Sequence, residues 1–336
     1  MNQMCGQQSI RLEQPPHVIG AASVVGKKES EGPLGDLFGI ICEDDMFGEE
    51  SWEKAESRMQ TESMRAAMSV AGKRAGQVRC LFGGDLLGQL IATSFGVEEL
   101  NIPLLGVYGA CSTCGEALAL AAMMISGGYA DCVATVTSSH FASAEKQFRF
   151  PLGYGNQRPL AATWTVTGSG AFVLASQGGH VRITGVTMGR VVDYDVHDSM
   201  NMGACMAPAA ADTISRNLRD FGRTPEDYDR IITGDLGYVG QTILMELMRE
   251  QGFEIRQQHM DCGIEIYDRE TQDTHSGGSG CGCSAVTLAA MILPKIEKGE
   301  WKRILFVPTG ALLSTVSFNE GQSVPGIAHG LVIEHC

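Results

Sequence analysis

The sequence predicts an α/β protein built from two similar halves, and three observations carry that prediction. Apolar strand-like runs alternate with helical stretches of about 12–18 residues along the whole chain, the pattern of strand–helix–strand units around a mostly parallel sheet. Cys132–Ser138 is an uninterrupted apolar and threonine run, as a strand covered on both faces requires. A strand, a glycine-rich turn carrying cysteine and an Ala/Leu/Met helix occur twice, at Gly109-Ala-Cys111 and at Gly280-Cys-Gly-Cys283. This echo suggests a duplicated unit, with halves at residues 1–178 and 179–336 and no low-complexity linker between them.

Residues 1–35 read as a first strand and loop, with Pro15-Pro16 ahead of the apolar Val18–Val25 region. Ile40 to Glu56 is acidic, and from Ser51 it becomes an amphipathic helix running to about Lys73. Val78–Phe82 is a short buried strand, followed by Gly83-Gly84-Asp85 and a helix through Ser94. Pro103–Tyr108 is the strand that enters the Cys111 helix, which Gly127-Gly128 closes. After the Cys132–Ser138 strand, Ala161–Ala175 reads as two strands meeting at glycines. In the second half the expected elements are strand Val181–Val192, helix Pro208–Arg219, strand Tyr228–Thr233 and helix Gly240–Gln251. A helix from the Gly277–Cys283 turn to about Glu297 and strands Lys302–Pro308 and Gly330–Glu334 finish the chain.

At 336 residues, 44% apolar and 19% charged, the chain can bury a large core. Its 42 glycines suit many tight strand–helix turns better than a helix bundle. The formal charge of −14, from 25 Lys and Arg against 39 Asp and Glu, argues against nucleic acid as a partner. An anionic ligand would need local arginine, helix termini or a metal counter-ion. Eleven unevenly spaced cysteines and a start without a basic segment ahead of an apolar one suit reduced, mostly buried thiols rather than a disulfide framework. The longest apolar run, Ala117 to Ile125, is nine residues, too short to span a bilayer, and a soluble chain is expected.

The most informative chemistry sits at Cys111. A thiol on the first turn of a helix meets unpaired N–H groups and the positive end of the macrodipole, and both favour thiolate. Cys114 makes a CxxC spacing with it, but the Cys281-Gly-Cys283 pair has a single intervening residue and no histidine follows at finger spacing, so helix packing explains these thiols better than a metal. The acidic run Glu43–Glu50 lacks the spacing of a calcium loop and reads as a solvated approach to a helix. Nothing local separates His140 and His197 from ordinary core or surface histidines.

These residues resemble the thiolase-like superfamily and, within it, the type III ketoacyl-ACP synthases. Ala110-Cys111-Ser112, with Ala117-Leu118 beyond the thiol, is similar to the nucleophile helix of those enzymes, and Thr167-Gly-Ser-Gly-Ala171 to the glycine-rich strands that end their first half. The resemblance implies a five-layer αβαβα sandwich of two similar halves, usually a homodimer. Three longer runs have no condensing-enzyme purpose: Met46-Phe-Gly-Glu-Glu-Ser-Trp-Glu-Lys-Ala-Glu-Ser-Arg-Met59, Gln147-Phe-Arg-Phe-Pro-Leu-Gly-Tyr-Gly-Asn-Gln-Arg-Pro159 and Asp273-Thr-His-Ser-Gly-Gly-Ser-Gly-Cys-Gly-Cys283. They resemble the stage V sporulation protein AD family. That resemblance implies binding of dipicolinic acid or its calcium chelate, integral membrane SpoVA partners, and peripheral association with the forespore or spore inner membrane.

Condensing enzymes of this superfamily join their thiol to two residues of the second half, usually two histidines or a histidine and an asparagine. The corresponding segments here are Ile231-Ile-Thr-Gly-Asp-Leu-Gly-Tyr238, where Gly234 or Asp235 takes the base position, and the later glycine turn, where Gly278 or Ser279 takes the second. His275 lies three residues before that second site and is the one histidine near enough in sequence to replace it. Without a base and a second donor the thiol is not activated and a condensation oxyanion is not stabilised. The expectation is a non-catalytic protein with no cofactor of its own, whose cleft binds dipicolinate. Cys111, Arg149, Asn156, Arg158, Thr165, Gly278 and Ser279 are the candidate contacts, the arginines as carboxylate forks beside aromatic faces. The rival readings are an acyltransferase or condensing enzyme using Cys111, and an architectural subunit without a ligand.

Overall fold

The computed structural model describes residues 3–148 and 157–336. Ten strands form its central framework. In the first half they are β1 (His17–Gly26), β2 (Leu81–Gly84), β3 (Leu104–Gly106), β4 (Cys132–Ser139) and β5 (Gly168–Ala175). In the second they are β6 (Val181–Thr187), β7 (Arg230–Thr233), β8 (His259–Asp261), β9 (Arg303–Val307) and β10 (Gly330–His335). Hydrogen bonding links them in the order β8-β7-β9-β10-β6-β1-β5-β4-β2-β3. The two groups of five meet at one pair, Arg182↔His17, and from that junction outward each follows the same relative order.

Both groups are mixed rather than mostly parallel, which corrects the expectation from strand–helix alternation. Pairs β1/β5 and β4/β5 are antiparallel, while β2/β4 and β2/β3 are parallel. The second group repeats this, with β6/β10 and β9/β10 antiparallel and β7/β9 and β7/β8 parallel. Alternation fixes which strands are joined by helices, but not the direction of the return strand that closes each half. Every residue of β4 and β5 is buried, so their unbroken apolar and small-residue runs follow from helices on both faces.

The principal helices are α1 (Trp52–Val70), α2 (Thr113–Ser126), α3 (Phe141–Phe148), α4 (Met202–Phe221), α5 (Gly237–Glu250) and α6 (Cys281–Thr287), the last continuing through a π turn to Glu297. Helix α1 starts where the Ser51 side chain accepts the Lys54 N–H, and it packs outside β1, β5 and β4. Helices α2 and α6 lie between the two sheet groups, and α4 and α5 cover the far side, giving the five αβαβα layers. Ala117, Ala121 and Ala122 on α2 and Ala285 on α6 are fully buried, and their small size lets two sheets close on the middle layer. The sheets contribute Phe172, Leu174, Phe306 and Leu331 to that layer, each worth about 1.5–3 kcal/mol of burial.

Helix α4 begins six residues before the expected Pro208, which lies inside it. The Asn201 side chain caps the helix by accepting the Ala204 N–H, and Gly222 ends it in the left-handed conformation, so strong caps outweigh the proline. Elements that carried no clear sequence signal include β8, helix α3, and the hairpin of Thr309–Ala311 with Gly326–Ala328.

Candidate functional site

Strand β3 leads through Val107–Ala110 into Cys111, two residues ahead of α2 rather than on its first turn. Ala110 takes a positive φ of 51°, and the turn is tied by Ser112 Oγ donating to the Gly109 carbonyl at 2.7 Å and Thr113 Oγ1 donating to the Ala110 carbonyl at 2.6 Å. Thr309–Ala311 backs onto this turn. A Cβ on Gly310 would lie 2.2 Å from the Gly109 carbonyl oxygen, so only glycine allows that approach. The same approach brings Thr309 beside Asp235.

Asp235 follows β7 and is the group that faces Cys111. Its carboxyl accepts from Thr309 Oγ1 at 2.8 Å and from the Gly280 N–H at 2.9 Å, and it is hydrogen-bonded to the Cys111 thiol. Burial pushes Asp235 up to about 7 against those three bonds. Burial, followed by the Asp235 charge and hydrogen bond, pushes the Cys111 thiol well above its ordinary value; the Gly280 N–H opposes this without winning. The expected thiolate-favouring helix start is therefore overturned. Desolvation and a neighbouring carboxyl outweigh the α2 terminus, and the thiol is protonated at neutral pH.

The cleft around Cys111 is narrow, with a volume of about 30 Å³. Leu86, Tyr108, Phe148, Met202 and Leu313 make it largely apolar, while Thr165, Ser279 and Glu145 supply its polar wall. Thr165 and Ser279 face one another because Trp164–Thr165 pairs in parallel with Gly278–Ser279. Of the expected contacts, Cys111, Thr165 and Ser279 line the cleft, whereas Gly278 only carries the bridge. Arg149 and Asn156 lie outside the described residues.

Arg158 is held behind the wall rather than in the cleft. Its guanidinium stacks 4.6 Å from the Trp164 ring and donates to the Asp273 carbonyl at 2.8 Å. Lys28 lies 4.3 Å from the same ring, and Phe141 stacks on it at 3.9 Å. His275 does not replace the absent base. Its Nδ1 pairs with the Pro159 carbonyl at 2.9 Å and its Nε2 with Asp273 at 3.1 Å. His140 is bonded to the Asp45 carbonyl at 2.7 Å, and exposed His197 to Asp195 at 2.9 Å. None of the described residues lining the cleft is a histidine or a cation.

Glu145 is the site residue that the sequence did not disclose. It is buried on α3 and accepts from Thr165 Oγ1 at 3.4 Å. Its flanks, Ala144 and Lys146, carry no motif, so no local signal points to it. Among the described residues there is no group of three or more His, Cys, Asp or Glu arranged to hold a metal ion.

Solved structures similar to this chain include condensing enzymes, and at these identities they speak for the fold. A 3-oxoacyl-[acyl-carrier-protein] synthase III from Aquifex aeolicus VF5 superposes with a TM-score of 0.55 and 13% identity, covering 95% of this chain and 100% of that one. The tetronic acid condensing enzyme AbyA1 gives 0.61 and 16%, over 95% and 99%. Cerulenin-bound OleA from Xanthomonas campestris gives 0.61 and 15%, over 95% and 96%. The thiolase-like fold is thus shared with type III synthases. In sequence, stage V sporulation protein AD of Bacillus subtilis (strain 168) is 41% identical over 331 residues, 98% of each chain. The family model for stage V sporulation protein AD matches residues 6–334, and the chain belongs to that family.

Proposed function

We propose that this chain is a non-catalytic thiolase-fold protein that binds dipicolinic acid, free or as its calcium chelate, for uptake into the developing spore and release at germination. One observation carries the non-catalytic reading: the group facing the Cys111 thiol is a buried carboxyl, not an imidazole. That carboxyl pushes the Cys111 thiol up instead of stabilising a thiolate, whereas a protonated imidazole beside a thiol lowers it. The second catalytic position offers Gly278 and the Ser279 hydroxyl in place of an imidazole or amide.

Membership of a sporulation family supports the choice of ligand, together with the runs that set this chain apart from condensing enzymes. Of the candidate carboxylate contacts, Arg149 and Asn156 lie outside the described residues, and Arg158 is turned onto Trp164 behind the cleft wall. No helix of the described residues is long and apolar enough to cross a membrane, so contact with the inner spore membrane would run through SpoVA partners. Edge strand β3 exposes Leu104 and Leu105 beside half-exposed Tyr108, which supports a homodimer.

Calorimetric titration with dipicolinate, with and without calcium, tests the reading beside intact-mass analysis after exposure to acyl-CoA. Heat of binding without a mass increase is the expected outcome. A thioester on Cys111 would instead make the protein an acyltransferase, and silence in both assays would leave an architectural subunit.

A further inference from the structure

The Cys111 cleft, at about 30 Å³, has room on the scale of a water molecule, not of a pyridine ring with two carboxylates. Directly beside it lies a second hollow of about 270 Å³, close to the lower end of ordinary ligand pockets. Phe148 and Leu313 line both spaces, so these two side chains are the partition between them. The outer hollow is completed by Phe318, Gln147, Ser199, Thr315 and Asn319.

We propose that this outer hollow is the ring-binding part of the site. It takes a planar aromatic carboxylate, with the ring held by Phe148 and Phe318 and the carboxylate on the neutral donors of Gln147, Ser199 and Asn319. The identity of the ligand as dipicolinate rests on the function proposed above, whereas the chemical class rests on the hollow.

Three features support that class. Phe148 and Phe318 are partly buried against the second-half core that includes Leu313 and Val324, so two aromatic faces are held in place before a ligand arrives. The Gln147 amide oxygen accepts the Gly88 N–H at 3.0 Å, which leaves its NH₂ as the donor end. The described residues lining the hollow include no carboxylate, whereas the inner cleft carries Glu145. In a protein of charge −14, an anion therefore meets less repulsion in the outer space.

Titration of the full-length protein with dipicolinate and, separately, with pyridine-2-carboxylate tests the proposal. Phe318→Ala and Asn319→Leu should each weaken binding of both probes by about tenfold or more. Val316→Ala, on the same short helix (Thr315–Asn319) but 68% exposed, should not change it. Asn319 is exposed, so Asn319→Leu keeps the test valid if Phe318→Ala fails to fold. Full affinity in the folded hollow variants, with loss on Thr165→Val, would overturn the hollow and leave dipicolinate binding intact. Hollow-dependent binding of pyridine-2-carboxylate alone would support the hollow and remove dipicolinate as the ligand. If the wild-type protein binds neither probe, both proposals fall.

Discussion

At the first cysteine turn the backbone reaches α2 through Ala110, a non-glycine residue at φ 51°, and Cys111 stands at the cleft facing Asp235. At the second turn it reaches α6 through Gly280 at φ 100°, and Cys281 is fully buried, its thiol donating to the Ser138 carbonyl at 2.9 Å. Two turns at equivalent places in a repeated strand order thus carry the same atom to different ends. One thiol lines a cleft and the other satisfies a backbone carbonyl. Gly280 also serves the first turn, because its N–H is one of the bonds that hold Asp235 against Cys111. The asymmetry shows that the second turn supports the first.

The largest effect expected from breaking this comparison is at Gly280. A Cβ there would lie 2.6 Å from Ser139 Oγ on a backbone with φ 100°, so Gly280→Ala should lose about 2–4 kcal/mol in urea unfolding. Ala110→Gly, at the other turn, should change stability by less than about 1 kcal/mol. Equal midpoints for the two variants would show that the turns do not differ as described.

A smaller effect, but a more specific one, concerns the carboxyl between the turns. Asp235 titrates near 7 in the fold against an ordinary 3.8, so the folded state binds the extra proton between those values. Stability should therefore fall as pH rises from about 4 to about 7, and stay level for this group above that. Asp235→Asn should remove up to about 1.4 kcal/mol per pH unit of that slope. Glu29, near 7, and Glu56, near 8, remain in both proteins, so the difference isolates Asp235. The same variant should speed alkylation of Cys111 by iodoacetamide, because the charge opposing thiolate is gone. An identical pH slope, or an unchanged alkylation rate, would separate the two residues.

The smallest effect belongs to Cys281→Ala, which removes one hydrogen bond to a backbone carbonyl and leaves a small void, at a cost of about 1 kcal/mol. It should leave dipicolinate affinity alone. A loss of affinity matching that of Cys111→Ala would mean that both thiols belong to the site.

Much of the framework was legible because its signals are local. The unbroken Cys132–Ser138 run, the glycine turns and the helix start at Ser51 each announce themselves within a few residues. The mixed strand directions were hidden, because a single strand reads the same whichever way its neighbour runs. Pro208 misled for a similar reason: a local penalty was outweighed by caps at both ends of α4. Position alone narrowed the residue opposite the thiol to Gly234 or Asp235, and the fold chose Asp235, while Glu145 became visible only once α3 packed against Thr165.

The sequence by itself determined the α/β character, the repeated strand–turn–helix unit and the absence of histidine from the segment that faces the thiol, since each is written in contiguous residues. Only the tertiary structure decided that Cys111 stays protonated, that Arg158 turns onto Trp164, and that the cleft is narrow with a larger hollow beside it. These outcomes depend on desolvation and on charges brought together from distant parts of the chain. A residue's type gives its ordinary ionisation, but the depth of its burial and the identity of its neighbours exist only once both halves have closed around the middle layer.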